Sequence, residues 1–110
     1  MTRVLLVTSS ILADQGQSTQ LARHFERLVR QRDDIEITHR DVIADDLPHL
    51  GLEELSSWQV AEAERSEAQR ELATRSDERL AELEAHDVLV LAVPLYNLGI
   101  PSQLKAWFDR

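Results

Sequence analysis

The hydrophobic positions alternate between short continuous runs and helical stripes. Arg3-Val4-Leu5-Leu6-Val7-Thr8 is a nearly unbroken apolar run, the pattern of a strand buried on both faces and hence central in its sheet. From Ser18 to about Arg32, Leu21, Phe25, Leu28 and Val29 recur at helical spacing and form one stripe suited to covering that sheet. Ile35-Glu36-Ile37-Thr38-His39 alternates instead, which predicts a strand with one face less buried, at an edge. Pro48 and Gly51 punctuate the next stretch, so Ala44 to Ser66 reads as an excursion loop with room for short helical pieces around Leu52, Leu55 and Trp58. Ala68, Leu72, Ser76, Leu80 and Leu83 then share one face of a helix ending near His86, with Glu71 and Arg75 paired at four-residue spacing outside. Val88 to Val93 is a second run expected to be buried on both faces, stopped by Pro94. Pro101 and Ser102 open a last helix whose stripe is Leu104, Trp107 and Phe108.

Strand, helix, strand, helix, strand, helix implies an α/β fold, a parallel sheet with right-handed crossovers covering both sides in three layers. If the first strand is central and the second an edge, the third lies on the other side of the first. The local order is then 2-1-3, as in flavodoxin-like folds. A buried third strand needs a further neighbour, and the last helix reaches Arg110 without a glycine cap or another strand. The expectation is that residues 1–110 are the N-terminal portion of a single domain whose strands 4 and 5 are missing.

Composition narrows the function classes. With 43% hydrophobic and 29% charged residues, the chain reads as a globular domain. Its longest apolar runs fall far below the ~20 residues of a spanning helix. The first strand begins too close to Met1 for a signal sequence, so a cytoplasmic location is expected. The absence of cysteine excludes disulfides and thiolate chemistry. A net charge of −8 argues against nucleic acid, and much of it sits between Glu53 and Glu84, where ten acidic and four basic side chains read as a solvated helix face. His24, His39, His49 and His86 lack metal-ligand spacing, and Asp45, Asp46 and His49 read as loop solvation, so no metal is expected.

Ligands of open parallel sheets bind beyond the carboxyl ends of the strands where strand order reverses, here between strands one and three. Two loops emerge there. The first, Thr8 to Thr19, carries hydroxyls at Ser9, Ser10, Ser18 and Thr19, a glycine at Gly16, and a helix start whose free N–H groups suit a phosphate. Taken by itself, it equally allows Ser18 or Thr19 to be a simple helix cap. Asp14 should point to solvent, away from an anion. The second loop, Pro94 to Gly99, offers the Tyr96 ring, the Asn97 amide and, at Gly99, close backbone approach, which suits a flat heteroaromatic ring. Tyr96 and Asn97 are also ordinary turn residues.

At these residues the sequence resembles the FMN-dependent NADH-azoreductases, which also act as quinone reductases. The likeness runs from Ser9-Ser10-Ile11-Leu12-Ala13 and Gln17-Ser18, through Ala85-His86-Asp87-Val88, to Pro94-Leu95-Tyr96-Asn97 and Gln103-Leu104-Lys105 before Phe108-Asp109. It is weakest from Ala44 to Ser66. The resemblance implies that Ser10, Gly16, Gln17 and Ser18 hold the FMN phosphate, while Leu95, Tyr96, Asn97 and Leu98 line the isoalloxazine. Gly16 stands where relatives often have serine, which removes one hydroxyl and keeps the backbone donor. Family members are about twice this length, complete the site with a glycine-rich loop after a fourth strand, and work as homodimers. The implied reaction is ping-pong transfer of two electrons from NADH to a quinone or azo compound, with the cofactor carrying the chemistry and no catalytic side chain named. A further alternative left open is that this length of chain has no activity by itself, because half of the flavin site is absent.

Rival readings differ at identifiable positions. A receiver domain needs acidic residues after strand one and an aspartate ending strand three, where this chain has Thr8-Ser9-Ser10 and Val93-Pro94. Neither G-x-G-x-x-G nor a glycine followed by Lys-Ser or Lys-Thr occurs, so dinucleotide and P-loop sites are excluded, although Asp41 sits where a ribose-binding acid belongs. The alternative that stands is a flavodoxin-like FMN-binding electron-carrier module, which serves protein partners instead of small molecules.

Overall fold

The computed structural model describes residues 1–110. Strand β1 (Thr2–Thr8) runs parallel to β2 (Ile35–Asp41) on one side and β3 (Val88–Ala92) on the other, so the sheet order is β2-β1-β3. Thr2 to Thr8 register with Ile35 to Asp41, and Val4 to Thr8 with Val88 to Ala92. β1 is central because Val4, Leu5, Leu6 and Val7 leave neither face to water. Burying each such side chain stabilises the fold by roughly 1.5–3 kcal/mol. Leu5 and Val7 join Val42, Leu47, Leu104, Ala106 and Trp107 in the main core on one side of the sheet. Leu6, on the other side, meets helix α1 (Gln17–Val29).

Helix α1 follows the expected span to within a few residues, but its burial is offset. Thr19 and Ala22 are buried, whereas Leu21 and Leu28 are exposed. The reason lies across the sheet. β3, expected to be buried on both faces, leaves Val88, Leu89 and Leu91 about two-fifths exposed (43%, 39% and 38%) because nothing pairs with its outer edge. An open groove of about 310 Å³ therefore lies between α1 and β3, lined by Leu6, Leu21, Phe25, Val90 and Ala92. On the opposite face Leu80, Leu83, Leu89, Trp107 and Phe108 border a second groove of about 240 Å³.

The stretch read as an excursion loop is mostly helical. α2 (Val42–Asp45) continues from β2, α3 (Leu52–Gln59) follows the turn at Pro48 and Gly51, and a 3-10 turn covers Glu62–Glu64. α3 packs on α4 (Glu67–Glu84), which begins with a capping box in which Ser66 and Gln69 satisfy each other's backbone N–H groups. Ala73 and Ser76 of α4 are buried, while Ala68, Leu80 and Leu83 of the expected stripe remain exposed. Arg75 does not pair with Glu71. It points to Glu54 of α3 at 3.9 Å.

Glu54 is the hinge of a buried ion pair that spacing does not reveal. Its carboxylate receives two bonds from Arg110, at 3.0 and 2.6 Å, and both side chains are almost completely buried. The fork joins α3 to the end of α5 (Ser102–Phe108), whose Leu104 and Trp107 are buried and whose Phe108 is exposed. A second pair, Arg40 with Glu82, fastens β2 to α4. Its hydrogen bond and charge hold the Glu82 carboxyl below its ordinary range and raise the Arg40 guanidinium further. No helix is long and apolar enough to cross a membrane.

Candidate functional site

The two loops identified in the sequence meet at the carboxyl end of β1 and β3. Ser9 is fully buried, and its Oγ donates to the Ala92 carbonyl at 2.9 Å, tying the start of one loop to the end of β3. Beyond it, Ser10 is buried as well, and its Oγ accepts the Leu12 N–H at 3.2 Å. Ala13–Gln15 form a 3-10 turn, with Ala13 at a φ of 49°. Asp14 is exposed, and its carboxylate is paired with Arg23 of α1.

Gly16 is the N-cap of α1, and no side chain caps the helix. The alternative that Ser18 or Thr19 serves as the cap therefore does not hold: both lie inside α1, Thr19 is buried, and the Ser18 Oγ is buried with no hydrogen-bond partner. The first N–H groups of a helix have no intrahelical acceptor, so this end carries unpaired donors and partial positive charge. A buried hydroxyl without a partner costs about 1–3 kcal/mol and is rare without a reason. Gly16 is also a close approach. A Cβ there would stand 2.2 Å from the Ser10 Oγ.

The second loop is a tight turn in which Tyr96 and Gly99 exchange backbone bonds of 2.9 and 3.0 Å. Asn97 and Leu98 both have positive φ, at 51° and 65°, as a type I′ turn requires. Leucine in that conformation is strained, and strained backbone clusters at functional sites. The φ of Gly99 is not positive, and a Cβ there would make only ordinary contact with the Tyr96 carbonyl at 3.7 Å.

Tyr96 reaches across to the first loop. Its hydroxyl accepts the Ile11 N–H at 3.1 Å and lies 3.5 Å from the Ser10 Oγ. Of the residues singled out from sequence, Ser10, Gly16 and Tyr96 are thus in one cluster, with Ser18 and the exposed Gln17 on the first turn of α1. Leu95, Asn97 and Leu98 are exposed on the rim, and Leu98 is 96% exposed, so it closes no wall here. Exposed Ile11 and Leu12 complete an apolar rim beside them. The Ser9 tie and the bond of 2.8 Å between Thr8 Oγ1 and His39 Nε2 were not foreseeable, because each joins residues distant in sequence.

A family model described as flavodoxin-like fold matches residues 2–110. The chain belongs to the flavodoxin-like fold family. Among its relatives are proteins named FMN-dependent NADH:quinone oxidoreductase from Alteromonas mediterranea, 43% identical over all of this chain and 55% of the relative, and from Pectobacterium atrosepticum, 44% identical over 99% and 55%. This flavodoxin-like chain thus spans about half the length of the curated relatives it matches. Among solved structures, an FMN-dependent NADH-azoreductase from Bacillus anthracis in complex with FMN superposes with a TM-score of 0.87 at 22% identity, over 98% of this chain and 54% of that one. A second azoreductase from B. anthracis gives 0.86 at 24%, over 99% and 54%. At such identities these structures establish the fold.

Proposed function

We propose that residues 1–110 are the N-terminal portion of a single flavodoxin-like domain and supply the phosphate end and one wall of an FMN site. The observation that carries this reading is the uncapped start of α1, with the Ser18 hydroxyl buried and unpartnered and the Tyr96 turn bonded alongside. These residues fit the group. Ser10 and Ser18 would give hydroxyl donors to the phosphate, and Gly16, Gln17 and Ser18 their backbone N–H groups. Leu95, Tyr96, Asn97 and Leu98 would flank the ring. The names of the relatives support extending the proposal to an NADH:quinone oxidoreductase that also takes azo compounds; a cytoplasmic location and a homodimer are part of the same proposal.

Bound there, FMN would supply two-electron transfer from NADH to the acceptor in a ping-pong cycle. The chain's own contribution is to bind and orient. The α1 terminus would stabilise phosphate charge without a lysine or arginine, and the Tyr96 turn would flank the ring. The Ser9 tie to Ala92 holds both loops at one distance.

Titrating FMN with the purified chain and following flavin fluorescence tests the reading. Quenching that saturates with FMN supports it, and undiminished fluorescence both with this chain and with a chain of the relatives' full length refutes it. NADH oxidation with a quinone, in a chain of the relatives' full length, separates a reductase from an electron carrier. FMN binding without NADH turnover would favour the carrier.

A further inference from the structure

We propose that the Tyr96 hydroxyl commits Ser10 to act as a hydrogen-bond donor toward the phosphate, which makes Tyr96 a positioning residue for the anion. The inference rests on the reading above that a phosphate ester occupies the first loop.

An amide can only donate, so the bond of 3.1 Å from Ile11 N–H places that hydrogen on the Tyr96 oxygen. The phenol hydrogen is then turned away from Ile11, and of the two directions open to the 3.5 Å contact with the Ser10 Oγ, the one proposed is that in which the phenol donates. Leu12 N–H donates to the same Ser10 oxygen at 3.2 Å. In that arrangement Ser10 receives two hydrogens, its lone pairs are engaged, and its own hydrogen is the bonding capacity that remains.

Ser10 is only 3% exposed, so bulk water is a poor outlet for that hydrogen. Its side chain also fills the space that the missing Cβ of Gly16 leaves, which holds it over the start of α1. A committed donor beside unpaired helix N–H groups suits a group that only accepts and is charged, since bonds to ionised acceptors are about twice as strong as neutral ones. The phosphate of FMN is such a group. The terminal hydroxyl of riboflavin is not.

Fluorescence titration of FMN and of riboflavin against a chain of the relatives' full length and its Tyr96→Phe, Ser10→Ala and double variants tests this. Phenylalanine keeps the ring and removes only the hydroxyl. The 3.5 Å contact is the weakest of the three and limits the effect. Tyr96→Phe should weaken FMN about three- to tenfold and riboflavin by less than about twofold, the range expected for one hydrogen bond. In the Ser10→Ala background the same change should leave the FMN-to-riboflavin preference unaltered. Equal weakening of both ligands by Tyr96→Phe, or an FMN-specific loss that persists in Ser10→Ala, overturns the proposal while leaving FMN binding intact. If Tyr96→Phe does not fold, Ser10→Ala alone decides: a preference unchanged from the parent chain overturns it. A parent chain that binds riboflavin as tightly as FMN removes the phosphate reading, and this proposal with it.

Discussion

Replacing Gly16 with alanine adds one methyl group at the tightest point of the candidate site. The backbone there has φ −72° and ψ 140°, which any residue adopts, so no cost arises from the main chain. The cost is steric. The new Cβ would lie 2.2 Å from the Ser10 Oγ and 2.7 Å from the Ser10 Cβ, so rotating the hydroxyl away does not suffice and the residue must shift. Overpacking of this kind costs about 1–3 kcal/mol. Displacing Ser10 also weakens its bond from Leu12 N–H, adding about 0.5–1.5 kcal/mol. Restricting the unfolded chain offsets about 0.4–1 kcal/mol. The net expectation is a destabilisation of about 1–3 kcal/mol, read as a lower urea midpoint by circular dichroism. Ser10→Gly removes both clashing atoms, so the double variant should be more stable than the sum of the single effects by at least about 1 kcal/mol. A Gly16→Ala chain as stable as the parent, or single effects that simply add, would refute the close approach of residues 10 and 16.

Other expectations follow from the ion pairs and the second turn. Arg110→Met should cost about 3–5 kcal/mol in urea unfolding because it strands the buried Glu54, with Arg75 at 3.9 Å softening the loss, whereas Glu54→Leu with Arg110→Met should recover most of it. Glu82 is held below the ordinary 4.5 by its hydrogen bond from Arg40, so its contribution is full above that value and lost as pH falls through the lower folded value. Urea midpoints should therefore fall more steeply with acidification below pH 4.5 in the parent chain than in Glu82→Gln, and parallel curves would contradict this linkage. Leu98→Gly relieves the strain of a leucine at φ 65° that makes almost no contacts, and should raise stability by up to about 1 kcal/mol; a loss in thermal melting would show that Leu98 packs in solution.

The framework was legible where a single periodicity settles an element. Val4 to Val7 identified the central strand, the alternation around Ile35 and Ile37 identified an edge, and together they fixed the order β2-β1-β3. Leu21 and Leu28 were misjudged because a stripe tells which residues are apolar, and only the neighbouring element decides which of them are covered. α3 was obscured by weak amphipathicity and flanking turn residues. Its stability comes from packing on α4 and from the Glu54–Arg110 fork, 56 residues apart. In the site, the residue types and their two loops were readable. That Tyr96 bonds to Ile11, that Gly16 makes room for Ser10, and that Ser18 has no partner depend on distances no spacing encodes.

The open flank of β3 bears on how the molecule behaves in a crowded solution. Val88-Leu89-Val90-Leu91-Ala92 has no proline, charge or bulge to discourage pairing between copies, and its outer backbone groups are unsatisfied. The net charge of −8 opposes such pairing through long-range repulsion, a weak colloidal barrier that salt thins and acid abolishes near the isoelectric point of about 4.9. Light scattering should rise with protein concentration first at pH 5 and high ionic strength, and last at pH 8 in dilute buffer. A lysine at Val90 should flatten that dependence.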